Sequence, residues 1–395
     1  MRRARHDRLA CGPLTGQVSG MSTVPFHLPH FTDADRDAAV AVMDTRFTTM
    51  GTHVAAFEEA FAARHGRAHA VMVNSCTNGH MLVLRYLRGP GGWDEGARAV
   101  FPAMTFAGPS FQAAHAGFDV TFADTDPATG STPVDALIEA AGTAPTILAP
   151  LGYGGIPLDG MDRLIRFAEE HGHVVIEDCA HATGASYADG RAVGSLSTLA
   201  SIWSFYPTKV VNATEGGMIL TDDADLAAWC RSARLHGVNK PVGDRYRSLK
   251  TDWAYALPIM GHKCNPTNIQ GAVGLSQLGR LDTTLARLAG IAGRYREVLA
   301  QAGMHTLDGS ERGNQHLFVL RDTPRAALME HLKNHGVQCS VHYPPLWQME
   351  AWGDRRWDLP GAERFAEGCL SLPIYADLTE AQIAQVCDGL LSFDG

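Results

Sequence analysis

One lysine of the sequence stands where it could react with a carbonyl compound. The chain has five lysines, and Lys209 follows the apolar segment 201–205 after a short Tyr-Pro-Thr turn. In open α/β sheets, ligands bind at the carboxyl ends of the strands. An amine that is held there, partly removed from water, is of the kind that forms Schiff bases. This position predicts that Lys209 is a reactive amine.

An acidic residue ends another predicted strand 31 residues before this lysine. Segment 174–178, Val-Val-Ile-Glu-Asp, has strand composition and ends on Asp178. A carboxylate at a strand end can cap a helix, form a structural ion pair or serve as a catalytic anion. Together with Lys209, Asp178 fits an electron-sink arrangement, in which an acid keeps a pyridine nitrogen protonated while a lysine holds an aldehyde carbon.

The same part of the chain also offers metal-ligating side chains, namely His171, His173, Asp178, Cys179 and His181. As a strand, the eight residues from His173 to His181 would span about 26 Å, at about 3.3 Å per residue. The two ends cannot meet at one ion, so we predict no metal site. The nearby segment 152–155, Gly-Tyr-Gly-Gly, lacks the G-x-G-x-x-G spacing and is interpreted as a turn.

Seven short apolar segments are predicted to be the strands that position these residues. They are 68–73, 97–101, 119–123, 146–149, 173–176, 199–205 and 217–220. Helix-like segments lie before and between them, among them 33–43, 52–65, 79–87 and 158–171. Such alternation predicts a parallel sheet covered by helices on both faces. Residues 267–302 form a long helical stretch, and 317–394 mix short strands and helices.

These elements divide the chain into three parts. Residues 1–23 are basic and then glycine-rich, with a second methionine at Met21, and we expect a disordered extension or an upstream start. Residues 24–265 are predicted to form the large domain that carries Lys209 and Asp178. Residues 266–395 are predicted to supply a linking helix and a smaller C-terminal domain.

Composition excludes several classes of protein. Hydrophobic residues make up 45% and charged residues 19%, as in ordinary globular proteins. The net charge of −9 argues against a nucleic-acid partner. The eight cysteines include no C-x-x-C pair, which favours free thiols in the cytoplasm. No apolar run is long enough to span a membrane.

The segment 204–209, Ser-Phe-Tyr-Pro-Thr-Lys, followed by Glu-Gly-Gly at 215–217, resembles the pyridoxal-phosphate (PLP) sugar aminotransferases of the DegT/StrS family. The likeness runs from about residue 24 to the C-terminus, with several motifs in order. It implies fold type I, an α/β architecture in which helices cover a mostly parallel seven-stranded sheet and a smaller α+β domain follows. It also implies that PLP is the cofactor.

The resemblance assigns roles to four residues around the predicted strand ends. Lys209 is implied to form the Schiff base with PLP, and Asp178 to pair with its pyridine nitrogen. His181 is implied to lie against the cofactor. Ser204 corresponds to the family's phosphate-binding hydroxyl.

Two further segments resemble cofactor-binding parts of the family. Segment 74–79 is predicted to be a strand-to-helix turn whose amides bind the phosphate, with Cys76 and Thr77 in the cradle. The family has Gly or Ala where Cys76 stands, and a buried structural thiol is an equally compatible interpretation. Phe106, at the end of segment 101–106, is implied to stack on the cofactor, with core packing as its alternative.

The resemblance also places residues near a substrate and a second subunit. Asn265, in segment 261–270, corresponds to an asparagine that reaches the neighbouring subunit's phosphate, which implies a homodimer with shared active sites. His342, in segment 341–346, corresponds to the substrate-side strand. Trp347 follows where the family often has a histidine.

The predicted function is transfer of an amino group from an amino acid, glutamate or glutamine, to a keto sugar. A nucleotide-linked keto-deoxysugar is the expected substrate, in amino-sugar or antibiotic biosynthesis. A keto-cyclitol is the alternative, and cationic side chains for a diphosphate would separate the two. Two less favoured alternatives share the fold. A PLP-dependent sugar dehydratase normally has histidine in place of Lys209, so Lys209 argues against it. A non-catalytic sensor need not retain lysine, acid and phosphate hydroxyl together.

Overall fold

The computed structural model describes residues 23–239 and 255–394, so all but one residue of the predicted N-terminal extension lies outside the described residues. A seven-stranded sheet forms the centre of the larger part. Its strands are β1 (His69–Val73), β2 (Arg98–Pro102), β3 (Asp119–Ala123), β4 (Thr146–Leu148), β5 (Val174–Asp178), β6 (Ala200–Ser204) and β7 (Gly217–Thr221). Each coincides with a predicted strand to within a few residues, because seven apolar segments of strand length were separated by helix or turn signals.

The sheet is mostly parallel, as expected. The strand order is β1-β7-β6-β5-β4-β2-β3, and only β7 runs antiparallel to its neighbours. The other pairs are parallel. The carboxyl ends of β1, β2, β4, β5 and β6 therefore meet at one edge of the sheet, together with the amino end of β7.

Among the residues that the structure describes, seven helices accompany this sheet. They are α1 (Asp33–Asp44), α2 (Thr52–His65), α3 (Cys76–Arg88), α4 (Ala107–His115), α5 (Val134–Ala141), α6 (Met161–His171) and α7 (Ala224–Ala233). One sheet face packs against apolar residues of α3, α4 and α7. The other packs against α2, α5 and α6. Because both faces are covered, strands β6 and β7 are buried along their whole length.

The C-terminal part surrounds a small antiparallel sheet in the order β10-β9-β8. Its elements are α8 (Asn268–Gly279), α9 (Leu281–Ala302), β8 (His305–Thr306), β9 (Phe318–Arg321), α10 (Arg325–Asn334), α11 (Pro360–Gly368), β10 (Leu370–Leu372) and α12 (Glu380–Leu391). Helices α9, α10 and α12 share one apolar core with this sheet. Val24 also lies in that core and forms a parallel bridge with Val337.

The predicted long helical stretch at 267–302 is two helices in the structure. Thr267 caps α8 in a capping box with Gln270, and the backbone leaves helical geometry at Arg280 (φ −114°, ψ 12°). The side chain of Arg280 pairs with Asp35 and donates to the carbonyl of His30, which fixes the break. Helical periodicity alone did not reveal this break.

Helix α8 packs closely on the large part of the chain. A Cβ added to Gly274 would lie 2.5 Å from the ring of Phe57 in α2, and one on Gly271 would lie 2.7 Å from the backbone nitrogen of Val54. Helix α9 instead packs into the C-terminal core. The break at Arg280 thus lets consecutive helices contact both parts of the molecule.

Two expectations about the environment can be compared with the described residues. No helix in 23–239 or 255–394 is long and apolar enough to cross a membrane. The seven cysteines in these ranges are free thiols.

Candidate active site

A cavity of about 410 Å³ opens at the edge of the large sheet where β5 and β6 end. This volume is typical of sites for small molecules. Parallel strands bring their carboxyl ends to one edge, so residues distant in sequence meet there. The cavity is lined by eight of the nine predicted cofactor and substrate residues: Cys76, Thr77, Phe106, Asp178, His181, Ser204, Lys209 and His342.

The amino end of α3 forms one wall of this cavity. Ser75 caps the helix, and its hydroxyl accepts a hydrogen bond from the Asn78 amide at 3.1 Å. Unpaired amides at a helix start favour an anion such as phosphate. Gly217 lies against this turn so closely that an added Cβ would be 2.6 Å from the Cys76 nitrogen. The absence of a side chain at Gly217, in the Glu-Gly-Gly segment, therefore lets β7 begin directly against this turn.

Lys209 lies in the cavity beside a histidine. Its backbone amide closes a turn onto the Tyr206 carbonyl at 2.9 Å, and its Nζ lies 3.0 Å from Nε2 of His316. Burial lowers the pKa of Lys209 to about 8, because the ammonium loses water contacts, although Cys76 and Asp178 oppose the shift. A larger fraction of neutral amine makes this lysine a better nucleophile than an exposed one.

Asp178 is 6% exposed and faces the same cavity. Its Oδ1 accepts a hydrogen bond from the Ala180 amide at 2.9 Å. Within the described ranges no lysine or arginine pairs with this carboxylate, and the only ion-pair contact is His80 Nε2 at 3.6 Å. A buried carboxylate without a strong cationic partner would be satisfied by a protonated ring nitrogen in the cavity.

The hydrogen bonds of His181 fix its tautomer. Its Nδ1 accepts the Gly154 amide at 3.3 Å, so Nε2 carries the proton and donates to the Tyr343 hydroxyl at 2.8 Å. Burial lowers the pKa of His181 well below its ordinary value, which keeps the ring neutral. The hydroxyl hydrogen of Tyr343 is thereby available to a group in the cavity.

His342 and Phe106 line the outer part of the cavity. His342 Nδ1 lies 2.9 Å from the Ser371 hydroxyl, and burial, with a smaller effect of Lys209, lowers its pKa to about 4. Phe106 is 60% exposed, and its ring centroid lies 6.0 Å from that of Tyr343. This exposure excludes core packing for Phe106.

Asn265 is the predicted site residue that does not line the cavity. Its side chain accepts a hydrogen bond from Lys263 and donates to the Pro266 carbonyl at 3.1 Å. Within one chain, Asn265 therefore does not reach the cavity that the same chain forms.

Comparison with known proteins identifies the family. The chain matches the DegT/DnrJ/EryC1/StrS aminotransferase family over residues 29–391. The chain belongs to this family. Its members are PLP-dependent sugar aminotransferases of fold type I, so the protein is a PLP-dependent aminotransferase.

Individual relatives of this aminotransferase cover nearly its whole length. Spore coat polysaccharide biosynthesis protein SpsC of Bacillus subtilis is 33% identical, over 93% of this chain and 96% of the relative. The structure of DesV from S. venezuelae is similar with a TM-score of 0.80 and 30% identity, over 90% of this chain and 93% of DesV. PseC from Helicobacter pylori shares the fold, with a TM-score of 0.84, 22% identity and coverage of 94% and 98%.

The cavity of this aminotransferase fits PLP by the chemistry of its walls. The buried Asp178 carboxylate lacks a strong cationic partner, Lys209 lines the same cavity, and the α3 amides offer an anion site. These groups match a basic ring nitrogen, an aldehyde and a phosphate, respectively.

The structure also reveals site residues of the aminotransferase that sequence reasoning missed. His316 contacts Lys209, and burial lowers its pKa well below the ordinary value. Asn314 holds His316 and His181 together, since its Nδ2 donates to the His181 carbonyl at 2.8 Å and its Oδ1 accepts the His316 amide at 2.9 Å. Both come from the polar turn after α9, more than 100 residues from Lys209, and no motif pointed to them.

The histidines of the predicted metal alternative do not gather at one point. His171 ends α6 and His173 precedes β5, whereas His181 lies beyond the other end of that strand. A different set, Cys76, His80 and Asp178, has ligand atoms within 4.8 Å of one another. Sequence spacing could not reveal this set, because its members come from α3 and β5.

Proposed function

We propose that the protein moves an amino group from glutamate or glutamine to a keto sugar, with a nucleotide-linked keto-deoxysugar as substrate. The observation that carries the proposal is the meeting of Lys209, Asp178 and the α3 amino end in one cavity. The role of the relative SpsC in polysaccharide biosynthesis supports a sugar substrate. Amino-sugar biosynthesis in the cytoplasm, for antibiotics or surface glycans, is the proposed setting.

PLP supplies an aldehyde that carries the amino group and a ring that withdraws electrons from the reacting carbon. The α3 amides, Thr77 and the Ser204 hydroxyl would hold the phosphate. Asp178 would accept the hydrogen bond of the protonated ring nitrogen and balance its charge. Phe106 would cover the ring and limit access of water.

Lys209 is the residue that moves the proton in this scheme. Its Nζ would remove a proton from the α-carbon of the donor amino acid and, in the second half-reaction, would deliver a proton to the acceptor carbon that receives the amino group, for which a pKa near 8 is suitable. His316 Nε2 accepts a hydrogen bond from this amine and fixes its direction. Tyr343, held by His181, donates its hydroxyl hydrogen toward the cavity.

A keto-cyclitol is the second candidate substrate, and one observation favours it. Among the described residues, Lys209 is the only lysine or arginine that lines the cavity. A nucleotide diphosphate would need additional cations from a partner subunit. A neutral polyol would need hydroxyl, imidazole and carboxylate partners, which His342, Tyr343 and Glu215 can provide.

We further propose that the protein is a homodimer with shared active sites. Asn265 points its polar atoms to its own loop, outside its own cavity. Exposed apolar side chains precede it in the chain, with Leu257 at 57% and Met260 at 97% exposure. Such residues are typical of a surface that a partner covers.

A screen of amino acceptors tests the proposed reaction. The enzyme is first aminated with glutamate or glutamine and freed of donor, and nucleotide-linked keto sugars and keto-cyclitols are then added separately. We expect one acceptor class to restore the PLP absorbance and yield the amino product. Amination by neither donor, or reaction with neither acceptor class, would contradict the proposal.

A further inference from the structure

A buried histidine next to Asp178 has no role in the scheme above. His80 lies on α3, one turn after Cys76, and is 1% exposed. Within the described part of the chain its Nε2 has no hydrogen-bond partner. The same atom lies 3.6 Å from Oδ2 of Asp178. A ring nitrogen buried without a hydrogen-bond partner costs free energy, so the presence of His80 requires an explanation.

The surroundings of His80 leave Asp178 as its natural partner. The neighbouring residues on the buried face of α3 are apolar or lack a side chain, namely Gly79, Leu82 and Val83. The Oδ1 atom of Asp178 already accepts the Ala180 amide. The Oδ2 atom accepts no hydrogen bond from the described residues and is the oxygen that His80 approaches.

We propose that His80 is a positioning residue that donates its Nε2 proton to Oδ2 of Asp178 when the cofactor is bound. A separation of 3.6 Å is too long for a hydrogen bond, and closing it by about 0.6 Å gives ordinary geometry. The bond stabilises the charged carboxylate and fixes its plane. It also links Asp178 to the helix whose amino end binds the phosphate, so that the two ends of the cofactor are held by one element.

A metal ion held by Cys76, His80 and Asp178 is the competing interpretation. The three ligand atoms lie within 4.8 Å of one another, close enough for one ion. However, burial raises the pKa of the Cys76 thiol, with Asp178 adding to the effect, so the thiolate that a metal needs is disfavoured. An ion there would also occupy the carboxylate that faces the cavity.

Two substitutions of similar size and polarity separate positioning from packing. His80→Gln places an amide donor near the position of Nε2, whereas His80→Asn cannot reach Asp178. We expect the dissociation constant of PLP from the reconstituted apo-protein to rise about 10-fold in His80→Asn. His80→Gln should recover most of this loss. His173→Leu is the matched control, because His173 is also buried with an unpartnered Nε2 but precedes β5, at the end remote from Asp178.

A spectroscopic readout completes the test. In His80→Asn, a less firmly held carboxylate leaves the ring nitrogen less positive, so the pH midpoint of the bound cofactor's visible absorbance should rise. His80→Gln should retain the midpoint of the wild type. Equal PLP affinity and equal midpoints in wild type, His80→Gln and His80→Asn would overturn the proposal. So would a stoichiometric metal ion in the holoenzyme that His80→Asn lacks.

Discussion

At the scale of single residues, the proposed chemistry depends on a lysine whose surroundings disfavour its charge. Because burial lowers the pKa of Lys209 to about 8, its neutral form dominates above that pH instead of above about 10.5. We expect the rate constant for covalent capture of PLP by the apo-protein to rise with pH and level off above about 8. Stopped-flow absorbance measures this rate constant, which is divided at each pH by the rate constant for a free lysine derivative. A ratio that stays constant between pH 7 and 10 would contradict the lowered pKa of Lys209.

Asp178 gives a second prediction at this scale. Asp178→Asn keeps the side-chain shape but removes the charge that we propose to hold the ring nitrogen protonated. We expect the transamination rate to fall on the order of 10³-fold or more, a loss of several kcal/mol in transition-state stabilisation. Single-turnover kinetics of PLP-saturated protein measure it, with Asp162→Asn on the surface as a control. Turnover of Asp178→Asn near the wild-type rate would make the acid structural.

Individual residues also show why part of the site could be predicted. Asp178 ends an apolar strand and Lys209 follows another after a short turn. Their positions along the chain therefore predicted that both lie at the carboxyl ends of strands. His316, Asn314 and His80 have no such signal. His316 reaches the cavity from a turn, and Asn314 and His80 contact the cavity-lining residues His181 and Asp178 from a turn and a helix face. Their neighbours are decided by tertiary packing, which sequence spacing does not reveal.

At the scale of elements, the start of β7 controls the cradle at the start of α3. A Cβ on Gly217 would lie 2.5 Å from the Ser75 carbonyl carbon, so Gly217→Ala must displace the backbone of that turn. We expect overpacking to cost about 1–3 kcal/mol of stability and to weaken PLP binding. Thermal unfolding and PLP titration measure both effects.

Gly279→Ala provides the matched control for this substitution. A Cβ at Gly279 would meet no atom within 4 Å, so the change should leave stability and PLP affinity nearly unaltered. Equal PLP affinity in Gly217→Ala and Gly279→Ala would show that the contact with Ser75 is not needed for the cradle.

The elements themselves were predictable to different degrees. The seven strands were found because buried parallel strands are continuous apolar segments bounded by turns or helices. The helical stretch at 267–302 kept its apolar periodicity across Arg280, so the break between α8 and α9 was not predicted. That break is stabilised by Asp35 and His30, which lie about 250 residues away in sequence.

At the scale of the whole molecule, the proposed shared active sites predict complementation between inactive chains. An Asn265→Ala chain mixed with a Lys209→Ala chain should form heterodimers in which both substitutions affect the same active site. The other site is intact, so each heterodimer should regain up to about half the wild-type activity, provided that Asn265→Ala alone is strongly impaired. Subunit exchange is verified with differently tagged chains. No recovery after exchange would place Asn265 outside the partner's site.

In the proposed mechanism, Lys209 binds the cofactor in the cavity at the carboxyl ends of β5 and β6. Borohydride reduction of the purified holoenzyme followed by peptide mass spectrometry tests this assignment, with Lys333→Ala, at an exposed position of α10, as a control that should behave as wild type. We expect loss of the visible absorbance and one pyridoxyl group per chain, attached to Lys209. A pyridoxyl group on any other lysine, or no labelled lysine in PLP-saturated protein, would contradict it.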